Sequence, residues 1–329
     1  MTVTSRAVRT SLLPLAFVAL IVLALVSIFI GVTAISPIDV ITGRADDGAV
    51  LTLIVSRLPR TLAVILAGAA LAVAGLLMQL LARNRFVEPS TVGTVESAGL
   101  GLLAVTILAP AVSVFGKMLV ATVFALAGTA LFLLLIRNVR QRDSVHVPLI
   151  GIMLSGIIGA VATFIAYRHD LLQTLASWTV GNFSSVLQGR YELLYLVAIL
   201  TGIAMLAADR FTVAGLGAEF TTNLGLNYRR VLAFGMGIIA VISAVVVTVV
   251  GAIPFLGLVV PNIVSMIVGD SARRGIPWVA VAGAGFALSC DIIGRTVRYP
   301  YEIPVGTVAG VIGAAIFLYL LLRRNSRVH

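Results

Sequence analysis

Charged residues and cysteine are scarce in this sequence. Of its 329 residues only 11% are charged, 60% are hydrophobic, and the mean hydropathy is +1.12, whereas soluble domains carry about 25% charged residues. The one cysteine, Cys290, excludes an internal disulfide, and its apolar neighbours favour core packing over redox chemistry. The composition therefore excludes an ordinary soluble domain and indicates a protein embedded in a membrane.

Motifs of common catalytic chemistry are also missing. No G-x-x-x-x-G-K-[ST] phosphate loop occurs, so the chain is not an ATPase of the ordinary type. His146, His169 and His329 stand apart from cysteines and carboxylates, which argues against a metal site and against nucleophilic catalysis. The net charge of +10 comes from arginines scattered at the ends of apolar runs, which favours membrane topology over nucleic-acid binding. We expect this chain to bind no metal, no cofactor and no nucleic acid.

What the sequence does contain is a series of apolar runs of about 20 residues, the length at which a helix crosses a bilayer. The runs are too long and too uniformly apolar for the strands of a barrel, so they predict an all-α polytopic membrane protein with one transmembrane domain, residues 1–329. Breaks at charges, proline and glycine define ten spans: Leu12–Ile35, Leu58–Ala82, Val92–Ala109, Val114–Ile136, Val147–Tyr167, Tyr191–Ala208, Val231–Ile253, Phe255–Gly269, Ile276–Ile293 and Val305–Leu322.

The distribution of arginine predicts the orientation of these spans. An even number of spans places both termini on one side, and most arginines fall on that side if it is the cytoplasm. The first run is too long for a signal peptide and lacks a cleavage site, so we expect it to be retained. The prediction is a multi-pass protein of the cytoplasmic membrane with both termini in the cytoplasm.

Two of the predicted spans, the third and the eighth, are short and follow segments that contain proline and glycine. These segments are NRFVEPSTVG (84–93) and GAIPFLGLVVPN (251–262). By the count of spans, the first lies at the cytoplasmic side and the second at the outer side. Interrupted segments of opposite orientation are typical of an inverted repeat, so spans two to five and seven to ten are predicted to be the two repeats.

The longest polar interval is DRFTVAGLGAEFTTNLGLNYRR, residues 209–230. Leu216, Phe220 and Leu224 recur at i, i+4 and i+8, which predicts a short amphipathic helix with one apolar face. Gly225 is expected to end this helix and Asn227 to cap the next. The pattern alone leaves open whether the apolar face lies on lipid or on a partner protein.

Several stretches in this order and spacing resemble the FecCD family of ABC-transporter permeases, over residues 57–324. They are RLPRTLAVILAGAALAVAGLLMQ (57–79), RNRFVEPSTVGT (83–94), LGAEFTTNLGLNYRR (216–230), GAIPFLGLVVPNIV (251–264), and DIIGR with YEIPVGTVAGVIGAAIFLYLLLRR (291–324).

The resemblance implies a BtuC-like permease fold of about ten helices that imports ferric siderophore, haem or vitamin B12. It also implies the partners: a second permease, either a copy or a paralogue, two ABC ATPases that bind ATP and Mg²⁺, an extracytoplasmic binding protein, and membrane lipid. The interval 209–230 becomes the loop that couples to the ATPase, through Leu216, Glu219, Phe220, Leu224 and Gly225.

Two motifs depart from the pattern of much of the family. NRFVEP stands where NPLADP is common, and this variant resembles permeases for catecholate siderophores, which favours a ferric siderophore as the substrate. VVPNIVS (259–265) stands where VVPHIAR is frequent, so no role of that histidine or arginine is carried over.

Three arginines, Arg57, Arg60 and Arg295, match family positions that face acidic residues of the binding protein. The resemblance therefore predicts docking, while the residues alone also allow arginines that reach lipid headgroups, or a local i,i+4 pair of Asp291 with Arg295. Glu96 is another acid in a predicted span, either in a polar cavity or at the membrane interface.

Small residues recur along the fifth and tenth spans. They let helices approach closely or leave room for a path, and the family places its translocation pathway along these two spans. The candidate pathway residues are Gly151, Ser155, Gly159, Thr163, Gly306 and Gly310.

Two other functions compete with an importer permease. An ion-coupled secondary transporter would need no ATPase. An intramembrane enzyme acting on a lipid-linked substrate would need paired acids, whereas the acids of the predicted inside loops are far apart: Glu88, Asp143, Asp209, Glu219 and Asp270.

Overall fold

The computed structural model describes residues 4–31, 35–137, 146–189, 191–269 and 271–325, and the regular structure in these ranges is helical. A π-helical turn, Leu53–Arg57, precedes the fourth helix. The α-helices are α1 Thr4–Phe29, α2 Pro37–Ile41, α3 Asp47–Thr52, α4 Leu58–Ala82, α5 Thr94–Leu108, α6 Val114–Arg137, α7 His146–Arg168, α8 Leu172–Thr179, α9 Leu194–Leu206, α10 Ala208–Gly215, α11 Ala218–Asn223, α12 Tyr228–Val249, α13 Leu256–Val268, α14 Ala272–Thr296 and α15 Val305–Asn325.

The helices confirm the predicted all-α membrane fold. In the described ranges seven helices are long and apolar enough to cross a membrane. Helices α9 and α10, bent by 65° at their junction, pass the same test when taken together, and α5 and α13 are shorter apolar helices. With 15 and 13 residues, α5 and α13 reach only about 22 Å and 20 Å, short of a hydrocarbon core of about 30 Å. Ten membrane elements result, and the third and the eighth are the interrupted ones.

The polar interval 209–230 differs from its prediction. It contains two helices, and α10 packs inward with Phe211 buried and stacked on Phe234 at 6.0 Å between ring centroids. The chain turns at Gly217, whose φ of +114° few other residues adopt, so α11 starts only at Ala218. The exposed part of this polar interval is therefore shorter than the sequence suggested, because α10 packs inside through Phe211.

The core surrounds α4, which packs against α14, α13, α12 and α9. Small residues bring the backbones together: a Cβ added at Gly75 would lie 2.0 Å from the carbonyl oxygen of Gly257, and one at Gly68 would lie 2.6 Å from Cβ of Ala287. In lipid, close packing of this kind replaces the hydrophobic effect as the force between helices. Helix α4 thus holds both halves of the chain in place.

Short helices that the sequence did not predict lie between the spans. Helices α2 and α3 precede the π-helical turn, and α8 follows α7. The chain after α8 turns back into the protein, where Gly181 N donates to Ala252 O at 2.7 Å and Gly306 N donates to Gly181 O at 2.8 Å. These backbone contacts tie the starts of α13 and α15 to the α8 segment.

Candidate functional site

Helix α11 presents an exposed apolar surface. Leu216, Phe220 and Leu224 are exposed by 55%, 62% and 63%, while Leu216 and Leu224 flank the helix rather than lie inside it. Glu219 is exposed beside them, and Gly225, with a φ of +78°, ends the helix as expected. We call Leu216, Phe220 and Leu224 the α11 surface.

Buried contacts hold α11 in a fixed position. Thr221 lies inside, and its Oγ1 is 3.2 Å from Val213 O and 2.6 Å from Gly217 O. The side chain of Asn227 accepts a hydrogen bond from Arg230 N at 3.2 Å and so caps α12, as the sequence predicted. Thr221 therefore links α11 to α10.

The arginines predicted to dock a partner belong to a buried network at the end of α1. Arg57 Nη1 donates to Ile28 O and Phe29 O, each at 3.2 Å. Arg295 donates to Ser27 O at 2.9 Å, to Ile30 O at 2.7 Å and to Ser27 Oγ at 2.6 Å. The last carbonyls of a helix lack partners within it and carry partial negative charge, so the two guanidinium groups cap α1.

The acids of this network are Asp291 and Glu302. Asp291 is fully buried and forms ion pairs with Arg295 and with Arg60, the latter at 2.8 Å; Arg60 also pairs with Glu302 at 2.8 Å. The i,i+4 pair of Asp291 with Arg295 is present, as one alternative from the sequence proposed. Arg57 and Arg295 are largely buried against the end of α1, and their role in docking a binding protein stays a prediction.

A cavity of about 330 Å³ lies between α5, α7, α8 and the start of α13. Gly159 and Thr163, two of the predicted pathway residues, line it together with Glu88, Glu96 and Trp178. Oε2 of Glu96 is buried and finds no hydrogen-bond partner among the described residues. Glu96 therefore lines a cavity inside the protein, in the first turn of α5.

The other predicted pathway residues do not share one surface. Ser155 is half-buried on α7 and does not line the cavity. A Cβ at Gly151 would lie 2.6 Å from Thr91 O, and one at Gly306 would lie 2.6 Å from Gly181 N, so these two glycines serve backbone packing. Gly310 has more room, because a Cβ added there would lie 3.6 Å from the nearest atom, Pro254 Cγ.

The two interrupted segments meet inside the protein. Glu88, which the sequence placed in a cytoplasmic loop, is buried; it accepts hydrogen bonds from Phe255 N at 2.9 Å and from Ser90 Oγ at 2.5 Å. Asn262 Nδ2 donates to Arg85 O at 2.8 Å, and Gln79 Nε2 donates to Gly257 O at 3.2 Å. Prolines and glycines in both segments marked the breaks, but no sequence signal showed that the segments touch.

In the described part of the chain, no three His, Cys, Asp or Glu side chains cluster closely enough to hold an ion. Asp143, Asp270 and His329 lie outside the described residues.

Comparison with known proteins gives consistent matches over nearly the whole chain. The profile of the FecCD transport family matches residues 19–323. The petrobactin import system permease protein YclN of Bacillus subtilis (strain 168) is 46% identical over 310 residues, which cover 94% of this chain and 98% of that protein. The petrobactin import system permease protein FatD of Bacillus anthracis is 44% identical over 311 residues, with 94% and 91% covered.

A solved structure has the same fold. It is described as an inward-facing conformation of a metal-chelate type ABC transporter, and it aligns with a TM-score of 0.81 at 23% identity, covering 95% of this chain and 99% of the other. At 23% identity this match shows a shared arrangement of the helices and nothing about function.

Proposed function

Because the chain belongs to the FecCD transport family, we propose that it is the membrane permease of an ATP-binding-cassette importer for a ferric siderophore. The observation that carries this proposal is the 46% identity to a petrobactin import permease over 94% of this chain and 98% of that protein. The chain is a transport subunit, not an enzyme, and ATP and Mg²⁺ would be bound by the partner ATPases. The iron would arrive already chelated.

The α11 surface is the proposed contact with the ATPase. Three large apolar side chains on and beside one short helix suit a helix-in-groove contact, and the buried Thr221 would pass its movement to the membrane helices. Glu219 and Gly225 lie at the edge of this contact. This assignment puts α11 in the cytoplasm together with both termini, in agreement with the distribution of arginine.

A second permease subunit, a copy or a paralogue, would cover α7 and α15. Only 22% of the membrane-spanning part of α7 and 28% of that of α15 are buried inside the protein. The exposed side chains include Ile152, Ile157, Val161 and Phe164 on α7 and Val311 and Leu318 on α15. Lipid could cover such faces as well, but the cavity lined by Gly159 and Thr163 lies on α7. A path for the substrate between two subunits would therefore pass this cavity.

The outer surface next to the buried arginine network would receive the binding protein. Val297, Arg298, Tyr299 and Tyr301 are exposed after α14, and the Arg298 guanidinium carbon lies 5.9 Å from the ring centre of Tyr301. Arginine and tyrosine are enriched in protein interfaces. Of the three predicted docking arginines only Arg60 stays partly accessible, with its side chain 13% exposed.

Reconstitution of the chain with its partner ATPase and binding protein in liposomes tests the proposal. We expect uptake of a ferric catecholate siderophore that requires ATP and the binding protein, with no uptake of vitamin B12. Uptake driven by an ion gradient without ATPase would instead establish a secondary transporter, and chemical change of a lipid-linked substrate would establish an enzyme.

A further inference from the structure

The cavity of about 330 Å³ between α5, α7, α8 and the start of α13 contains an acid with an unused acceptor. Glu96 lies in the first turn of α5, and its Oε2 has no hydrogen-bond donor among the described residues. The other acid of the lining, Glu88, is satisfied, since it accepts from Phe255 N at 2.9 Å and from Ser90 Oγ at 2.5 Å. An acid among membrane helices is costly unless it is paired, and it indicates a functional site. Glu96 is therefore the acid that a ligand would pair with.

The hydroxyl groups that line the cavity are placed to accept hydrogen bonds from a ligand. A hydroxyl has one hydrogen to donate and two lone pairs that accept. Each of the four hydroxyls already donates within the protein: Ser90 Oγ to Glu88 Oε1 at 2.5 Å, Thr91 Oγ1 to Glu88 O at 3.1 Å, Thr163 Oγ1 to Gly159 O at 2.8 Å and Thr179 Oγ1 to Ala176 O at 2.9 Å. A polar ligand in this cavity must therefore bring its own donors.

The charge and the aromatic content of the lining favour a cationic donor. The lining residues that the structure describes include no arginine, lysine or histidine. Trp178 lies on the wall, and the faces of aromatic rings, tryptophan above all, attract ammonium groups. Val95, Leu175 and Val247 supply apolar wall. A carboxylate, an indole ring and apolar side chains together suit an alkylammonium group.

The cavity is open to a ligand from the side of α7. Thr163 on α7 and Thr179 at the end of α8 line it and are exposed. Its volume of about 330 Å³ is at the lower end of the range for ligand sites. The cavity therefore suits one arm of a metal chelate, while the iron centre stays in the proposed path beside α7.

We propose that Glu96 and Trp178 bind a protonated amine of the incoming ferric siderophore. This inference rests on the proposed importer function and narrows its substrate class to siderophores that carry a basic amine. Oε2 of Glu96 is buried, and rotation about the terminal bond of the side chain, which has broad preferences, turns it towards the ligand. Glu96 is then a specificity-determining residue, because a chelate without the amine would leave the carboxylate unpaired.

Equilibrium binding to the full chain in lipid nanodiscs tests the site. Two probes share one iron centre: a ferric tris-catecholate chelate with one primary amine, and the same chelate with that amine acetylated. Radioactive iron allows bound chelate to be counted directly. We expect the wild type to bind the amine chelate about ten-fold more tightly than the acetylated one, the order that one charge-assisted hydrogen bond supplies. Glu96→Gln should bind the two chelates alike.

Matched variants separate charge from packing. Glu96→Asp keeps the carboxylate and should keep part of the preference. Trp178→Leu keeps an apolar wall and should weaken binding of the amine chelate more than binding of the acetylated chelate. Glu192→Gln removes an acid whose Oε1 accepts from Gly189 N at 2.6 Å, outside this cavity, and should leave the preference unchanged.

The fluorescence of Trp178 shows where the chelate binds. Trp178 and Trp278 are the two tryptophans of the sequence, and Trp278 lies on α14, away from the cavity lining. In the variant Trp278→Phe the remaining emission comes from Trp178. The amine chelate, which absorbs light through its iron centre, should quench this emission, and Glu96→Gln in the same background should prevent the quenching.

Equal affinity of the two chelates for the wild type would overturn the proposal, as would binding of neither chelate or an unchanged preference in Glu96→Gln. The comparison on the wild type needs no variant, so it holds even where Glu96→Gln lowers stability. Binding is measured without the ATPase and without transport. A negative result would therefore remove the amine site and leave the importer function, which uptake by the reconstituted complex tests, unaffected.

Discussion

Glu88 accepts a hydrogen bond from the backbone amide of Phe255 at 2.9 Å, and this contact joins the two interrupted segments across 167 residues of sequence. Phe255 has a left-handed backbone with φ of +62° and precedes α13. The first amides of a helix have no partner within it, and a carboxylate there also meets the positive end of the helix dipole. The contact explains why an acid is buried in a segment that reads as a loop.

Glu88→Ala should destabilise the protein more than Glu88→Gln. Alanine leaves the buried Phe255 amide and the Ser90 hydroxyl without this acceptor, at a cost of about 1–3 kcal/mol in the free energy of unfolding, while glutamine keeps an acceptor oxygen. Cys290 is the one cysteine in the sequence and is buried, so its labelling by a thiol dye during heating reports unfolding. Equal midpoints for the two variants would contradict the capping role.

Gly75→Ala should lower stability by about 1–3 kcal/mol, the usual cost of overpacking. The new Cβ would lie 2.0 Å from Gly257 O, so α4 and α13 would have to separate. Gly285→Ala on α14 is the matched control, because no atom lies within 4 Å of its Cβ. Thermal unfolding of both variants in the same detergent checks the prediction, and similar midpoints would refute it.

Arg295→Ala and Arg298→Ala should separate the buried network from the outer surface. Loss of Arg295 leaves carbonyls of α1 unpaired and removes one partner of Asp291. Breaking a buried ion pair lowers the free energy of unfolding by about 3–5 kcal/mol, and the remaining pair of Asp291 with Arg60 should reduce this loss. Arg298→Ala should leave the unfolding midpoint unchanged and weaken binding of the extracytoplasmic protein. If Arg295→Ala weakened that binding at unchanged stability, Arg295 would be a docking residue after all.

Phe220→Asp combined with Leu224→Asp should abolish co-purification of the ATPase. Two carboxylates in an apolar groove would be desolvated without partners. Thr222→Asp adds a charge to the same short helix at an exposed polar position and should retain the complex. Pull-down from solubilised membranes measures the result, and retention of the full complex by the double variant would refute the contact.

Gly159→Leu should reduce transport at least ten-fold without loss of stability. The nearest atom to a Cβ at Gly159 is Cγ of Glu96 at 4.0 Å, so leucine would fit and occupy part of the 330 Å³ cavity. Gly156→Leu, three residues away on the same helix, has open space and does not line the cavity. Uptake in proteoliposomes compares the two variants, and unchanged uptake by Gly159→Leu would exclude the cavity from the pathway.

Composition and the length of the apolar runs are enough to predict the fold class and most of the membrane elements. Within the bilayer a long apolar run must form a helix to pair its backbone polar groups, so the positions of the spans follow from composition and run length. Proline and glycine marked the two short helices, and Asn227 marked the cap of α12, because these residues act through local backbone geometry. The roles of the α11 surface and of the pathway residues stay predictions.

Which polar residues are buried, and with which partners they pair, depends on how distant helices pack together. The sequence pattern left open whether Arg57 and Arg295 contact a binding protein, lipid or a local acid. The end of α1, 28 residues before Arg57 and farther still from Arg295, supplies the carbonyls that hold them. Glu88 likewise finds its partner in the other half of the chain. Local patterns report the cost of placing a charge in the membrane, but a partner distant in sequence offsets that cost, and only the packing of α1, α4, α13 and α14 brings such partners together.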